Sequence, residues 1–157
     1  MVDFRNILNK KVEDIKAPPL VPVGTYRARV SKPASFDEIA QGKFKVIDFM
    51  LLLVEPMMDV SQEELSAYGG LGAASVMRQR FMFSTEDTPD AAANVERTLF
   101  NMKRFLSEHL GLSGDDMNQL VSQAQGNECL VNVGWRPDPK DPSIQYSDIK
   151  RTAPLPV

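Results

Sequence analysis

The chain has 157 residues, 43% hydrophobic and 25% charged, ordinary proportions for a sequence that folds around its own core. One cysteine excludes an internal disulfide and a cysteine metal cluster, and one histidine, His109, excludes a histidine-rich zinc site. The net charge is −3, from 18 basic and 21 acidic side chains, which taken as a total argues against a nucleic-acid partner.

Residues 1–23 read as an N-terminal arm. Phe4, Ile7, Leu8, Val12 and Ile15 fall at near-helical spacing behind Asp3, a potential N-cap. The stretch 17–22 holds three prolines and must be extended. Such an apolar stripe is either a packed or frayed terminus or an arm that binds a partner or makes a homo-oligomer.

The first strand covers 24–30, where Tyr26, Ala28 and Val30 alternate with Thr25, Arg27 and Arg29. A polar loop, 31–42, leads to a long second strand over 43–54, whose alternation slips at Ile47 and Asp48 and suggests a bulge there. Residues 57–75 form an insertion with a short helix opened by a Ser61/Glu64 capping box and a glycine-rich hinge over 69–72. The third strand covers 76–83.

Thr88 and Pro89 open a helix whose stripe is Val95, Leu99, Met102 and Leu106, widened by Phe105 and Leu110 and stopped by Gly111. A second helix over 114–125 follows, capped by Ser113. The fourth strand covers 127–135, a proline-rich loop 136–143, and the fifth strand 144–151. The segment 152–157 is a non-helical tail. The domain proper is then 24–151.

The fold class is therefore mainly β with a helical insertion. Three strands, a helical segment and two strands is the element order of the OB-fold, a five-stranded Greek-key barrel with its helix between strands 3 and 4. Another small barrel or an α+β sandwich shares parts of this order. OB barrels bind oligonucleotides or oligosaccharides on strands 2 and 3, framed by the 1–2 and 4–5 loops.

Charge is unevenly distributed over these elements. The five strands carry eight basic and three acidic side chains, a net +5 against −8 elsewhere. Arg27/Arg29, Lys43/Lys45 and Arg78/Arg80 are pairs at i and i+2, so each pair shares a face of its strand. Three basic pairs on adjacent strands predict a positive groove fit for a phosphate backbone. Cations that protect strand edges from aggregation would give the same composition. Trp135 and Tyr146 flank the 4–5 loop and suit base stacking. Phe44, Phe49, Phe81 and Phe83 have core spacing.

Catalytic readings fail on spacing. His109 ends a helix and Cys129 lies in an apolar strand, so they do not make a nucleophilic pair. Asp115 and Asp116 are neighbours on a helix and point apart. No phosphate-binding glycine loop of the Gly-x-x-x-x-Gly-Lys type is present. No enzyme, cofactor or metal is expected. The longest apolar run, 49–54, is far short of the roughly 18 residues of a membrane helix, and the first residues lack a secretory pattern. An intracellular protein that avoids membranes is expected.

Several segments follow one another in a familiar order. They are Pro22-Val-Gly-Thr-Tyr26, the Phe-rich second strand, Arg-x-Arg-Phe-x-Phe83, Leu-Gly111-Leu, Gly126-Asn-Glu-Cys-Leu-Val and Tyr146-Ser-Asp-Ile-Lys-Arg-Thr-Ala-Pro154. Over about Leu20 to Pro154 this order resembles small phage-encoded single-stranded DNA-binding proteins of the OB-fold type. The resemblance implies a replication or recombination accessory protein in the cytoplasm of an infected bacterium, with single-stranded DNA as ligand and other replication or recombination proteins as partners. Two departures from that family stand out: the tail Ala-Pro-Leu-Pro-Val157 is not acidic, and the 57–75 insertion is long.

The combined expectation is sequence-tolerant binding of single-stranded DNA. Arg78, Arg80, Lys43 and Lys45 would contact phosphates. Trp135 and Tyr146 would stack bases. Arg27, Arg29, Arg136, Lys140 and Lys150 would complete the basic face and its rim. The alternative is a non-enzymatic protein-interaction module, with the arm and Met57-Met58 as docking surfaces, or a virion or assembly accessory protein.

Overall fold

Tyr26, Ala28 and Val30 are fully buried, as their alternation in sequence requires, and the strand that carries them lies at the middle of the sheet. The computed structural model describes residues 3–14, 19–71 and 75–156. Ile15 of the arm stripe, Ala17 and Pro18 of its extended stretch, Gly72 of the glycine-rich segment and Val157 of the tail lie outside these.

Among the described residues, six strands form one antiparallel sheet. They are β1 (Gly24–Val30), β2 (Ser35–Ile39), β3 (Phe44–Pro56), β4 (Val76–Ser84), β5 (Glu128–Pro137) and β6 (Gln145–Ala153). The spatial order is β2-β3-β1-β5-β6, with β4 on the other edge of β3. The 13-residue β3 can serve three partners because β2 and β1 share one of its edges end to end.

The sheet differs from the expected five-stranded closed barrel. Among the described residues the strand count is six, because the loop after β1 holds β2. Its residues are almost all exposed, so it has no alternation to read, and its turn places Ala40 and Gln41 at positive φ (54° and 59°) without the usual Asn-Gly signal. The sheet is also open rather than a closed barrel. Strands β4 and β6 approach each other, but no backbone ladder joins them among the described residues.

The slip in β3 has a different cause from a bulge at Asp48. Pairing with β4 runs without interruption from Phe44 to Leu52. Asp48 is buried because it holds Arg80 of the facing strand, and Phe49 because it faces the core. The irregularity lies instead where Arg27 opposes Glu55 and Ala28 opposes Leu53, so that Val54 is extra.

Helix α1 (Phe4–Leu8) belongs to the arm and buries no residue. Helix α2 (Gln62–Tyr68) starts at Ser61, whose Oγ accepts from the Glu64 amide, and ends at Gly69 in the left-handed conformation. The insertion has a packing role. Asp59 accepts from both the amide and the hydroxyl of Thr25, and Val60 and Leu65 join the core. Gly24, at φ +145°, is required there, since a Cβ would come within 2.6 Å of Val60 Cγ2.

Helix α3 (Pro89–Lys103) is capped by Thr88, with Pro89 at its first position. It runs into a π-helical turn, Arg104–His109. The wider turn makes Phe105 and Leu106 both buried, and Phe105 completes an aromatic cluster with Phe49 and Phe81, with centroids 5.2–5.9 Å apart. Helix α4 (Met117–Gln123) is shorter than its apolar pattern predicts, and its cap is Asp116 rather than Ser113. No helix is long and apolar enough to cross a membrane among the described residues.

Candidate nucleic-acid interface

The register of the sheet decides which cations meet. Cross-strand partners share a face, so Met50 with Arg78 and Asp48 with Arg80 lie on the outer side of β3 and β4. Lys45 is paired with Phe83 and so lies on the opposite face, beside the core end of α3. Lys43 is exposed in the turn before β3. The expected single groove of three basic pairs is therefore split, because Lys43 and Lys45 carry the opposite parity to Arg78 and Arg80.

Several of the outward cations are already neutralised. Arg27 bridges Glu128 at 2.9 Å and Glu55 at 3.1 Å, and Arg29 reaches Glu128 at 3.0 Å. Burial pushes the Glu128 carboxyl up, but hydrogen bonds from Arg27 and then Arg29 outweigh it and hold the group below its usual value. The hydrogen bonds to Glu128 and Glu55 raise Arg27 in turn. Arg80 makes a two-pronged bond to Asp48, at 2.8 and 3.0 Å. Lys150 lies 3.5 Å from Asp148, its stem laid across Gly134. Among the described residues, Arg78, Arg151 and Lys140 have no carboxylate at ion-pair distance.

The two aromatics differ in setting. Trp135 donates its Nε1 hydrogen to the Val21 carbonyl at 2.7 Å, and it lines a small cleft with Pro19, Pro22 and Tyr68. Tyr146 is half exposed. Its hydroxyl donates to Asp138 at 2.8 Å, and the Arg136 guanidinium stands 5.5 Å over its ring. Asp138 also accepts from the amides of Lys140 and Asp141, which folds the β5–β6 loop around it. The Lys140 amide, followed by the Tyr146 hydroxyl, keeps Asp138 below the usual carboxylate range.

Six cations border the open seam between β4 and β6: Arg80, Arg104 and Lys150 are paired with Asp48, Glu108 (3.1 Å) and Asp148, while Arg78, Arg136 and Arg151 have no carboxylate at ion-pair distance among the described residues. Two clefts lie along it, of about 330 and 680 Å³. The first is bordered by Arg78 and Arg136, the second by Arg80, Arg104, Lys150 and Arg151. The linings themselves contain one carboxylate, Asp148, and Asp48 and Glu108 reach Arg80 and Arg104 from outside them. His109 sits at the wall of the second cleft, with Nδ1 2.6 Å from Thr152 Oγ1. Burial first, then the Arg104 charge, pushes the imidazole below its ordinary value, so it is neutral near pH 7.

Strand pairing of cations does not single out Arg104 or Arg151. Arg104 belongs to a helix, and Arg151 has no basic partner at i ± 2; the signal for both is proximity across the seam, which no local pattern carries. The buried Cys129 thiol is pushed up to about 12 by desolvation and is no nucleophile at neutral pH. No group of three or more His, Cys, Asp or Glu side chains converges on one point among the described residues.

A comparison with known proteins finds no matching family model and no matching curated relative for this chain.

Proposed function

We propose that the sheet is an opened OB-type barrel, and that the chain binds single-stranded DNA without sequence preference along the β4–β6 seam. The observation that carries this reading is the pair of clefts along the seam where Arg78, Arg136 and Arg151 have no carboxylate at ion-pair distance among the described residues, on a chain whose total charge is −3. A phosphate backbone laid along the seam meets Arg78 and Arg136 first, then Arg151 and Lys150. Tyr146, steadied by Arg136, offers a flat face for a base at the seam's loop end. The resemblance to phage single-stranded DNA-binding proteins points the same way and suggests a role in replication or recombination. No chemical step is required of the protein, and its work is to hold exposed strands.

The test is fluorescence anisotropy with a labelled oligo-dT at two salt concentrations. Affinity falls with salt by about 0.7 in log–log slope per phosphate contacted. The double change Arg78→Ala, Arg136→Ala lowers both affinity and slope, whereas Lys43→Ala with Lys45→Ala leaves them unchanged. Equal loss from both doubles would overturn the seam as the site.

A second reading, a protein-interaction module, draws on the carboxylates that hold Arg27, Arg29, Arg80 and Lys150. Absence of binding to the oligonucleotide at low salt favours it.

A further inference from the structure

The larger cleft of the seam, about 680 Å³, holds a histidine among its cations. His109 closes the π-helical turn and forms part of the cleft wall. The charged groups around the cleft come from three elements. Arg80 of β4 is held by Asp48, and Arg104 of the π-turn is paired with Glu108. Strand β6 supplies Lys150, paired with Asp148, and Arg151. The α3 residues that line the cleft are uncharged, and α4, which also packs against the turn, has no ionisable side chain.

Four cations thus meet three carboxylates, and Arg151 is the one charge of this cleft left unbalanced among the described residues. Each phosphodiester of a nucleic-acid strand brings one negative charge. A strand that places more than one phosphate here finds a single further group able to become positive in the ordinary pH range, the His109 imidazole.

The local geometry suits that change. Nδ1 lies 2.6 Å from Thr152 Oγ1. A hydroxyl can donate to a bare ring nitrogen or accept from a protonated one, so protonation costs the ring no hydrogen bond. Nε2 makes no hydrogen bond among the described residues and remains available to a ligand oxygen. With the cleft empty, burial and then the Arg104 charge hold the imidazole below its ordinary value. An anion seated among the same cations acts in the opposite direction, because a nearby negative charge favours the imidazolium.

On the reading of the seam as the DNA site, we propose that His109 is a phosphate-binding residue of the second cleft and takes up a proton as single-stranded DNA enters. Binding and protonation then reinforce each other. Affinity rises as pH falls through the imidazole's bound value, by at most about tenfold per pH unit for one proton. It levels off below the free value, which lies under 6.5.

Anisotropy titrations of the full chain with labelled oligo-dT test it, at one fixed salt concentration and at about pH 7.5 and 5.5. Thymine does not ionise in this range, and circular dichroism at both values checks the fold. The wild type is expected to bind at least about threefold more tightly at the lower pH. His109→Gln is expected to lose that rise and to stay within about twofold of the wild type at the higher pH. Calorimetry of the wild type in two buffers of different ionisation enthalpy reads the proton directly and needs no variant. A fraction of a proton taken up per complex near pH 6.5 is expected, and none in His109→Gln. Wild-type affinity that does not change with pH overturns the proposal, as does an equal rise in His109→Gln or a complex that takes up no proton. The seam itself survives those results if Arg78→Ala, Arg136→Ala still weakens binding. Absence of oligo-dT binding at low salt at either pH removes the seam as a DNA site and the role of His109 with it.

Discussion

Trp135 holds the backbone of Val21 from the side chain, its indole N–H 2.7 Å from the Val21 carbonyl oxygen, while Ser147 on the neighbouring strand accepts from the Val21 amide at 2.9 Å. Two side chains on β5 and β6 thus satisfy both polar groups of one buried residue. This clamp fixes where the arm leaves the sheet. It also gives the indole N–H a task other than recognising a base.

Trp135→Phe replaces the indole with a smaller aromatic ring and removes the donor. The Val21 carbonyl is then left without that partner, and a loss of about 1 kcal/mol is expected. Urea unfolding followed by circular dichroism measures it. Affinity for oligo-dT should stay within twofold of the wild type, and a large drop in affinity would make Trp135 a stacking residue after all.

Tyr146 separates two contributions by two substitutions. Tyr146→Phe keeps the ring under Arg136 and removes the hydroxyl bond to Asp138, so oligonucleotide affinity is expected to stay near the wild type. Tyr146→Ala removes the face itself and is expected to cost about 1–3 kcal/mol of binding if one base stacks there. Anisotropy titrations of both proteins at one salt concentration check the contrast. The Asp138 carboxylate, acting through the hydroxyl bond, also raises the Tyr146 phenol, so its ultraviolet titration should shift to lower pH in Asp138→Asn.

His109 gives the fold a pH dependence of predictable sign. Its folded value lies below the ordinary 6.5, so the unfolded chain takes up the proton more readily. The stability it contributes is complete above 6.5 and is lost as pH falls through that value toward the folded one. Between about pH 7.5 and 5.5 the wild type should lose unfolding free energy relative to His109→Gln. Glu128 does not confuse the comparison, because its own folded value is lowered and its contribution is lost only below its ordinary 4.5. Denaturant melts of the two proteins at both ends of that range provide the measurement.

Phe105→Ala opens the aromatic cluster that joins the π-turn to β3 and β4. A loss of about 3–5 kcal/mol is expected for removing a buried phenyl ring. Urea denaturation gives the value. A loss below about 1 kcal/mol would mean that the site collapses onto the vacancy and that the cluster is not the centre of the core.

The sequence by itself determined which segments extend and which coil, apart from the edge strand β2. Alternation in β1, the caps at Ser61 and Thr88, and the apolar stripe of α3 depend on neighbours within one turn or one strand, where side-chain periodicity is decisive. Helix α4 and the ends of the strands came out within a few residues of expectation for the same reason. Edge strand β2 was invisible because an exposed strand in a polar loop has no apolar rhythm.

The site depended on relations the sequence does not write down. Strand parity gives two cations the same face of one strand, but the register between strands decides whether neighbouring pairs agree, and Lys45 opposite Phe83 shows that they do not. Which carboxylate meets which cation is likewise a matter of contact over about a hundred positions, as with Arg27 and Glu128. Only the tertiary structure brings Arg104 of a helix and Arg151 of the last strand to one cleft, because charge concentration across a seam arises from packing distance and not from spacing along the chain.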